Sequence, residues 1–86
     1  MRQYRIYTED KGDKIVEKIA CDNFDGFTIL HGTGYWKGHV EKSIIVEVIS
    51  EQNILHQVKI CAQEIKRVNK QESVLVTETK VRETYI

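Results

Sequence analysis

Tyr35, Trp36 and Lys37 stand together in a stretch that also holds Gly26, Gly32, Gly34 and Gly38, four of the chain's five glycines, with His31 and His39 on either side. Two flat aromatic faces and an ammonium group beside bare backbone form a residue set that can stack on a planar ligand and meet an anion. A base stacked on an aromatic side chain contributes roughly 1–3 kcal/mol. Glycines 32, 34 and 38 can turn backbone N–H groups toward a phosphate, although glycines at such spacing more often mark bulges and a tight turn. The spacing is that of neither a P-loop nor a dinucleotide fingerprint.

His31 and His39, with Tyr35 and Lys37, have the chemistry of an anion site or of an acid–base pair. No nucleophile or metal-binding carboxylate pair is set against them by spacing, so structural or solvent-facing histidines are the simpler reading. Arg5 and Arg82 fall in β-type segments. Each must line a solvated face, pair with a carboxylate such as Glu47, Glu78 or Glu83, or hold a phosphate bidentately. The candidate ligand-binding set is therefore Gly32, Gly34, Tyr35, Trp36, Lys37 and His39 with Arg5 and Arg82. Ser43 and Ser73 lack a nucleophile elbow, and Cys21 and Cys61 stand apart, outside CxxC or Cys/His ligand spacing. The expectation is no catalytic group, no metal, no resident cofactor and two reduced thiols.

These residues must be positioned by a small body. Eighty-six residues without proline, linker or repeat read as one domain spanning the whole chain, small enough that self-association would add usefully to its buried apolar surface. Thirteen basic and thirteen acidic residues cancel and are spread along the chain. That balance removes any general attraction to nucleic acid or to an anionic membrane. No apolar run reaches the length of a membrane span and the polar N-terminus has no signal-peptide core, so the expected location is the cytosol.

Periodicity divides the chain. Residues 3–7 alternate as a half-buried strand; Ile15, Val16, Ile19 and Ala20 share a helical face, with Asp13 as its expected N-cap. A strand follows from Phe27, and the glycine-rich tip joins it by a hairpin to a second strand over residues 43–49. Ile54, Val58, Cys61, Ala62, Ile65 and Val68 mark the buried stripe of a longer helix, with His56 beside it. Residues 71–85 return to β character. The order β-α-β-β-α-β predicts an α+β, ferredoxin-like domain: a four-stranded antiparallel sheet with two helices on one face.

In that arrangement Ile44, Val46 and Val48 face one way and Ile45 and Ile49 the other, while Leu75 opposes Val74 and Val76. Both sheet faces are apolar. A second copy of the chain is the expected cover for the face the helices leave open, with the long final strand reaching across to it.

The runs Phe24-Asp25-Gly26-Phe27-Thr28-Ile29-Leu30, Gly34-Tyr35-Trp36, the strand from Glu41 to Ile49 and Gln71-Glu72-Ser73-Val74-Leu75 resemble an uncharacterised ferredoxin-like family with a "DG-T-L…G-W…QESVL" series. The likeness implies fold and transfers no activity. More loosely, the topology and the glycine-bearing second strand are similar to PII-like trimeric signalling proteins, which hold nucleotides between subunits; their long nucleotide loop is missing here. Small oligomeric phage proteins that sequester nucleotide-derived immune signals are similar in size and architecture. The leading expectation is a non-enzymatic oligomer that senses or sequesters a nucleotide-like anion at the hairpin, as a phage anti-defence sponge would. The alternatives are a small dimeric enzyme with its pocket on the open sheet face, and a purely structural interaction module.

Overall fold

The computed structural model describes residues 1–86. The elements run β1 (Arg2–Glu9), α1 (Ile15–Asn23), β2 (Thr28–Trp36), β3 (His39–Ser50), α2 (Leu55–Asn69) and β4 (Leu75–Lys80). The strands form one sheet in the order β2-β3-β1-β4, with every pairing antiparallel. This is the ferredoxin-like arrangement that the periodicity predicts. No helix is long and apolar enough to cross a membrane.

Alternation along the strands sorts the residues into two faces. In register across the sheet, Ile29, Val46, Ile6 and Val76 form one row and Tyr4 pairs with Val48 beside it. Val16, Ile19 and Ala20 of α1 and Val58, Cys61, Ala62 and Ile65 of α2 close over these residues as a single core. Full burial of one such aliphatic side chain stabilises the fold by about 1.5–3 kcal/mol. Tyr4 is wholly buried, and its hydroxyl accepts the Ile54 N–H at 3.2 Å. That bond ties the start of α2 to the middle of the sheet.

Several details add to or depart from the sequence reading. The residue before α1 is Lys14, in the left-handed region at φ 58°, while Asp13 accepts the Ile15 N–H at 3.2 Å from one position further out. Asn69, a polar residue outside the expected stripe, is buried at the end of α2, and His56 is exposed. β4 ends at Lys80; residues 81–86 carry no regular structure, so the last strand is shorter than its neighbours. The glycines make no bulge: β2 and β3 stay in continuous register from Thr28 opposite Glu47 to Trp36 opposite His39. The turn between them is Lys37-Gly38, with φ of 50° and 79°. Two consecutive positive φ values make the type I′ turn that matches strand twist, and the second is where glycine is needed.

Candidate functional site

β4 begins opposite Tyr7, so the last residues of β1 have no strand on that side. The segment 70–73 fills the gap. Its path is set by the end of α2, where Lys70 at φ 54° donates its N–H to the Arg67 carbonyl (3.3 Å) and Gln71 donates to the Lys66 carbonyl (3.1 Å). This is a Schellman ending with lysine in the position glycine usually takes. It turns the chain back toward β1, where a polar knot holds it. Asn69 donates to the Glu9 carbonyl (3.0 Å), to Thr8 Oγ1 (3.4 Å) and to Gln71 Oε1 (3.3 Å). Thr8 Oγ1 and the Glu9 N–H also donate to Gln71 Oε1. Thr8 and Asn69 are 4 % and 3 % exposed, so these bonds answer polar groups that water does not reach.

On the open face, between this segment and the β2–β3 hairpin, lies a cleft of about 500 Å³. Tyr7 and Glu9 come from β1, Gly34, Trp36, Glu41 and Ser43 from the hairpin, Lys70, Gln71, Glu72 and Ser73 from the segment, and Leu75 from β4. Gly34 sits opposite Glu41 and Gly32 opposite Ser43, on the face that also carries Leu30 and Trp36. Neither Gly32 nor Gly34 has positive φ. A Cβ at Gly32 would meet nothing within 4 Å, and one at Gly34 would sit 3.6 Å from the Ser43 Cβ, an ordinary contact. Backbone conformation and the chain's own packing therefore require glycine at neither position. The wall of β2 is bare over the stretch where a strand residue would otherwise project.

The structure brings Gly34, Tyr35 and Trp36 to the cleft, with Gly32 next along the same face. Trp36 points to the open face and Tyr35 to the opposite one, as alternation requires; they are 53 % and 74 % exposed. Lys37 Nζ lies 5.6 Å from the Trp36 ring centroid, a cation–π distance, and His39 is opposite Trp36. Arg5 is on the open face one row beyond Tyr7. Its Nη2 and Nε reach Glu47 Oε1 at 2.8 and 2.9 Å, and contact with the Tyr7 hydroxyl, then Glu47, holds its pKa above the ordinary value. The Arg5 charge is thus already answered by a carboxylate. Arg82 follows β4, whose Lys80 pairs with Arg2, at the end of the sheet away from the hairpin tip. Within one copy of the chain it does not join the cleft.

Sequence reasoning missed Tyr7, Glu41, Asn69 and Gln71. Glu41 was within reach: once the turn is placed at residues 37–38, register sets 36 against 39 and 34 against 41. Gln71 lies in a segment without periodicity and gave no signal. His31, also considered at the tip, sits on the helix side of β2 and lies 3.7 Å from Asp10 Oδ2. The lining carries Glu9, Glu41 and Glu72 against Lys42 and Lys70, so the cleft is no basic funnel for a polyphosphate.

No protein-family model and no curated protein matches the chain. Among solved structures it is similar to a phage SAM lyase in its apo state, with a TM-score of 0.66 and 20 % identity over 91 % of this chain and 78 % of that one. CPII, a nitrogen regulatory PII-like protein from Thiomonas intermedia K12 bound to ADP, AMP and bicarbonate, is similar at a TM-score of 0.63 and 12 % identity, over 99 % and 93 % of the two chains. The de novo designed protein Foldit4 follows at 0.53 and 20 % identity, over 94 % and 96 %. At these identities the likeness is one of fold, and the fold is one that an enzyme, a nucleotide-bound regulator and a designed chain all adopt.

Proposed function

We propose that this chain binds a small molecule carrying an adenosine group in the cleft on its open sheet face. The observation that carries the proposal is the pair of glycines in β2 that neither conformation nor internal packing demands. A glycine inside a strand costs roughly 0.5–1 kcal/mol relative to alanine, and here the return is a bare wall beside Trp36 and across from Tyr7. A planar base fits between such surfaces. Adenosine is the part shared by SAM, named for one structural neighbour, and by the ADP and AMP bound to another.

Binding without turnover, for sensing or sequestration, is the first reading, because no nucleophile is set against a base in the cleft. The second is an enzyme acting on the same ligand, favoured by the fold shared with a SAM lyase and by Glu9 and Glu41 at the cleft. In both readings a second copy of the chain covers the row Leu30, Ile45, Tyr7 and Leu75 on the open face. Leu30 and Leu75 are 36 % and 59 % exposed in the single chain. The same proposal has the last residues, with Arg82, reach that second copy.

Calorimetric titration with SAM, ADP, AMP and cyclic nucleotides tests the proposal, with recovery of the ligand assayed by chromatography. Binding with intact recovery supports sensing or sequestration, and loss of SAM over time supports the enzyme. Absence of binding by an assembled, folded protein leaves a structural interaction module.

A further inference from the structure

Gln71 differs from every other polar residue at the cleft in how completely one end of its side chain is used. Its Oε1 accepts from Thr8 Oγ1, from the Glu9 N–H at 3.4 Å and from Asn69 Nδ2 at 3.3 Å. The orientation of the amide follows from obligate chemistry. The Glu9 backbone N–H can only donate, so the atom facing it must be the oxygen. The Glu9 carbonyl can only accept, so the Asn69 atom 3.0 Å from it is the NH2, which makes Asn69 a donor to Gln71 as well. With the oxygen fixed in the knot, Nε2 is turned to the other side of the amide, and it has no hydrogen-bond partner in the protein. It is also absent from the buried groups that lack a partner, of which Glu17 Oε1 is the one example. Gln71 is half-buried and lines the cleft.

We propose that Gln71 is a ligand-contacting residue of the cleft, its amino group held as a fixed hydrogen-bond donor toward an acceptor atom of the bound molecule. The inference rests on the reading of the cleft as an adenosine-ligand site and adds a selection rule to it. A free glutamine side chain can rotate to offer either its oxygen or its NH2, and so accommodates donors and acceptors alike. Here the knot removes that choice: ligands presenting an acceptor at this point gain a bond whose orientation is already set. Ligands presenting a donor there meet an N–H and lose one.

The substitution Gln71→Glu separates the two ends of the residue. A carboxylate still offers an oxygen to the three donors of the knot, while the atom facing the cleft changes from donor to acceptor. The expected result is a melting temperature at or above that of the wild type, with affinity for SAM and ADP reduced about tenfold, the scale of one lost oriented bond. Gln71→Met removes both ends and should lower melting temperature and affinity together. Titrations at low and high salt identify any loss due only to the added charge: a deficit that vanishes at high salt overturns the proposal. Wild-type affinity in Gln71→Glu overturns it too. Trp36→Ala reports on the cleft itself. If Trp36→Ala weakens binding and Gln71→Glu does not, the Gln71 inference falls and the cleft stands; if neither has an effect, or the wild type binds neither probe, both fall. Independently of folding of the variants, the Gln71 side-chain NH2 resonances of the wild type should shift on addition of either probe, and unshifted resonances at saturation count against the contact.

Discussion

One sheet carries two faces built from the same four strands, and they differ in what holds them. Toward the helices, Tyr4, Ile6, Ile44, Val46 and Val48 are between 0 % and 6 % exposed and are answered by side chains of α1 and α2. On the open side the same strands present an arginine–carboxylate pair, the separate aromatics Tyr7 and Trp36, and the exposed aliphatics Leu30, Ile49 and Leu75. Shape complementarity decides the first face. The second keeps residue types that packing within the chain does not use, together with two glycines that it does not require. The difference teaches where to look for function: among residues whose identity the fold leaves unexplained.

Truncation should separate the faces most strongly. Ile6→Ala should cost about 2–5 kcal/mol of stability, whereas Leu75→Ala should cost an isolated protomer about 1 kcal/mol or less. Urea unfolding at two protein concentrations checks this. A large Leu75 effect that shrinks with dilution shows the open face covered by a second copy, and a large effect independent of concentration breaks the comparison.

The knot at the end of α2 belongs to the buried side yet forms one wall of the cleft. Asn69→Leu should lose about 1–3 kcal/mol, because it leaves the Glu9 carbonyl without its donor. Amide exchange of residues 70–75 should accelerate in the same variant, and unchanged exchange would detach the knot from the cleft wall. Gly34→Ala should go the other way, stabilising the strand by roughly 0.5–1 kcal/mol while weakening SAM or ADP binding. Stabilisation without any effect on binding would leave the bare wall without a ligand role.

The smallest effect below pH 9 comes from Cys61. Burial, then the neighbouring Glu64, pushes its thiol up to about 11, from an ordinary value of 9.0. The unfolded chain therefore releases this proton at lower pH than the folded one, so stability is level below about pH 9 and falls as pH rises toward 11. Exposed Cys21 should react with a thiol reagent in the folded protein at neutral pH, and Cys61 only on unfolding. Two equivalents of rapid labelling in the native state would contradict its burial.

Element order was legible in the sequence because apolar spacing of 2 and of 3.6 leaves a strong record, and the short tip between β2 and β3 admits only a hairpin. The glycine-rich hairpin with Tyr35 and Trp36 was legible as a hairpin tip, and its place at the cleft follows from the register of β2 against β3. Other features depended on distances that no local pattern encodes. Gln71 gains its role from a left-handed Lys70 and a partner, Thr8, sixty-three positions away. Arg82 was grouped with the hairpin by residue type, whereas antiparallel pairing of β4 with β1 carries it to the other end of the sheet.

The strand order also bears on how the chain reaches this state. β1 lies between β3 and β4, and Arg2 pairs with both Ser50 and Lys80. The earliest strand of this sequence is thus an interior strand, and both its neighbours come later in the chain. Until residues 75–80 arrive, β1 can acquire only one of its two ladders, and its second row of backbone donors and acceptors stays open to competing chains. Closure through so long a loop places folding among slower, non-local topologies. Docking of β4 beside β1 is then the step that closes the second ladder of β1 to strand exchange.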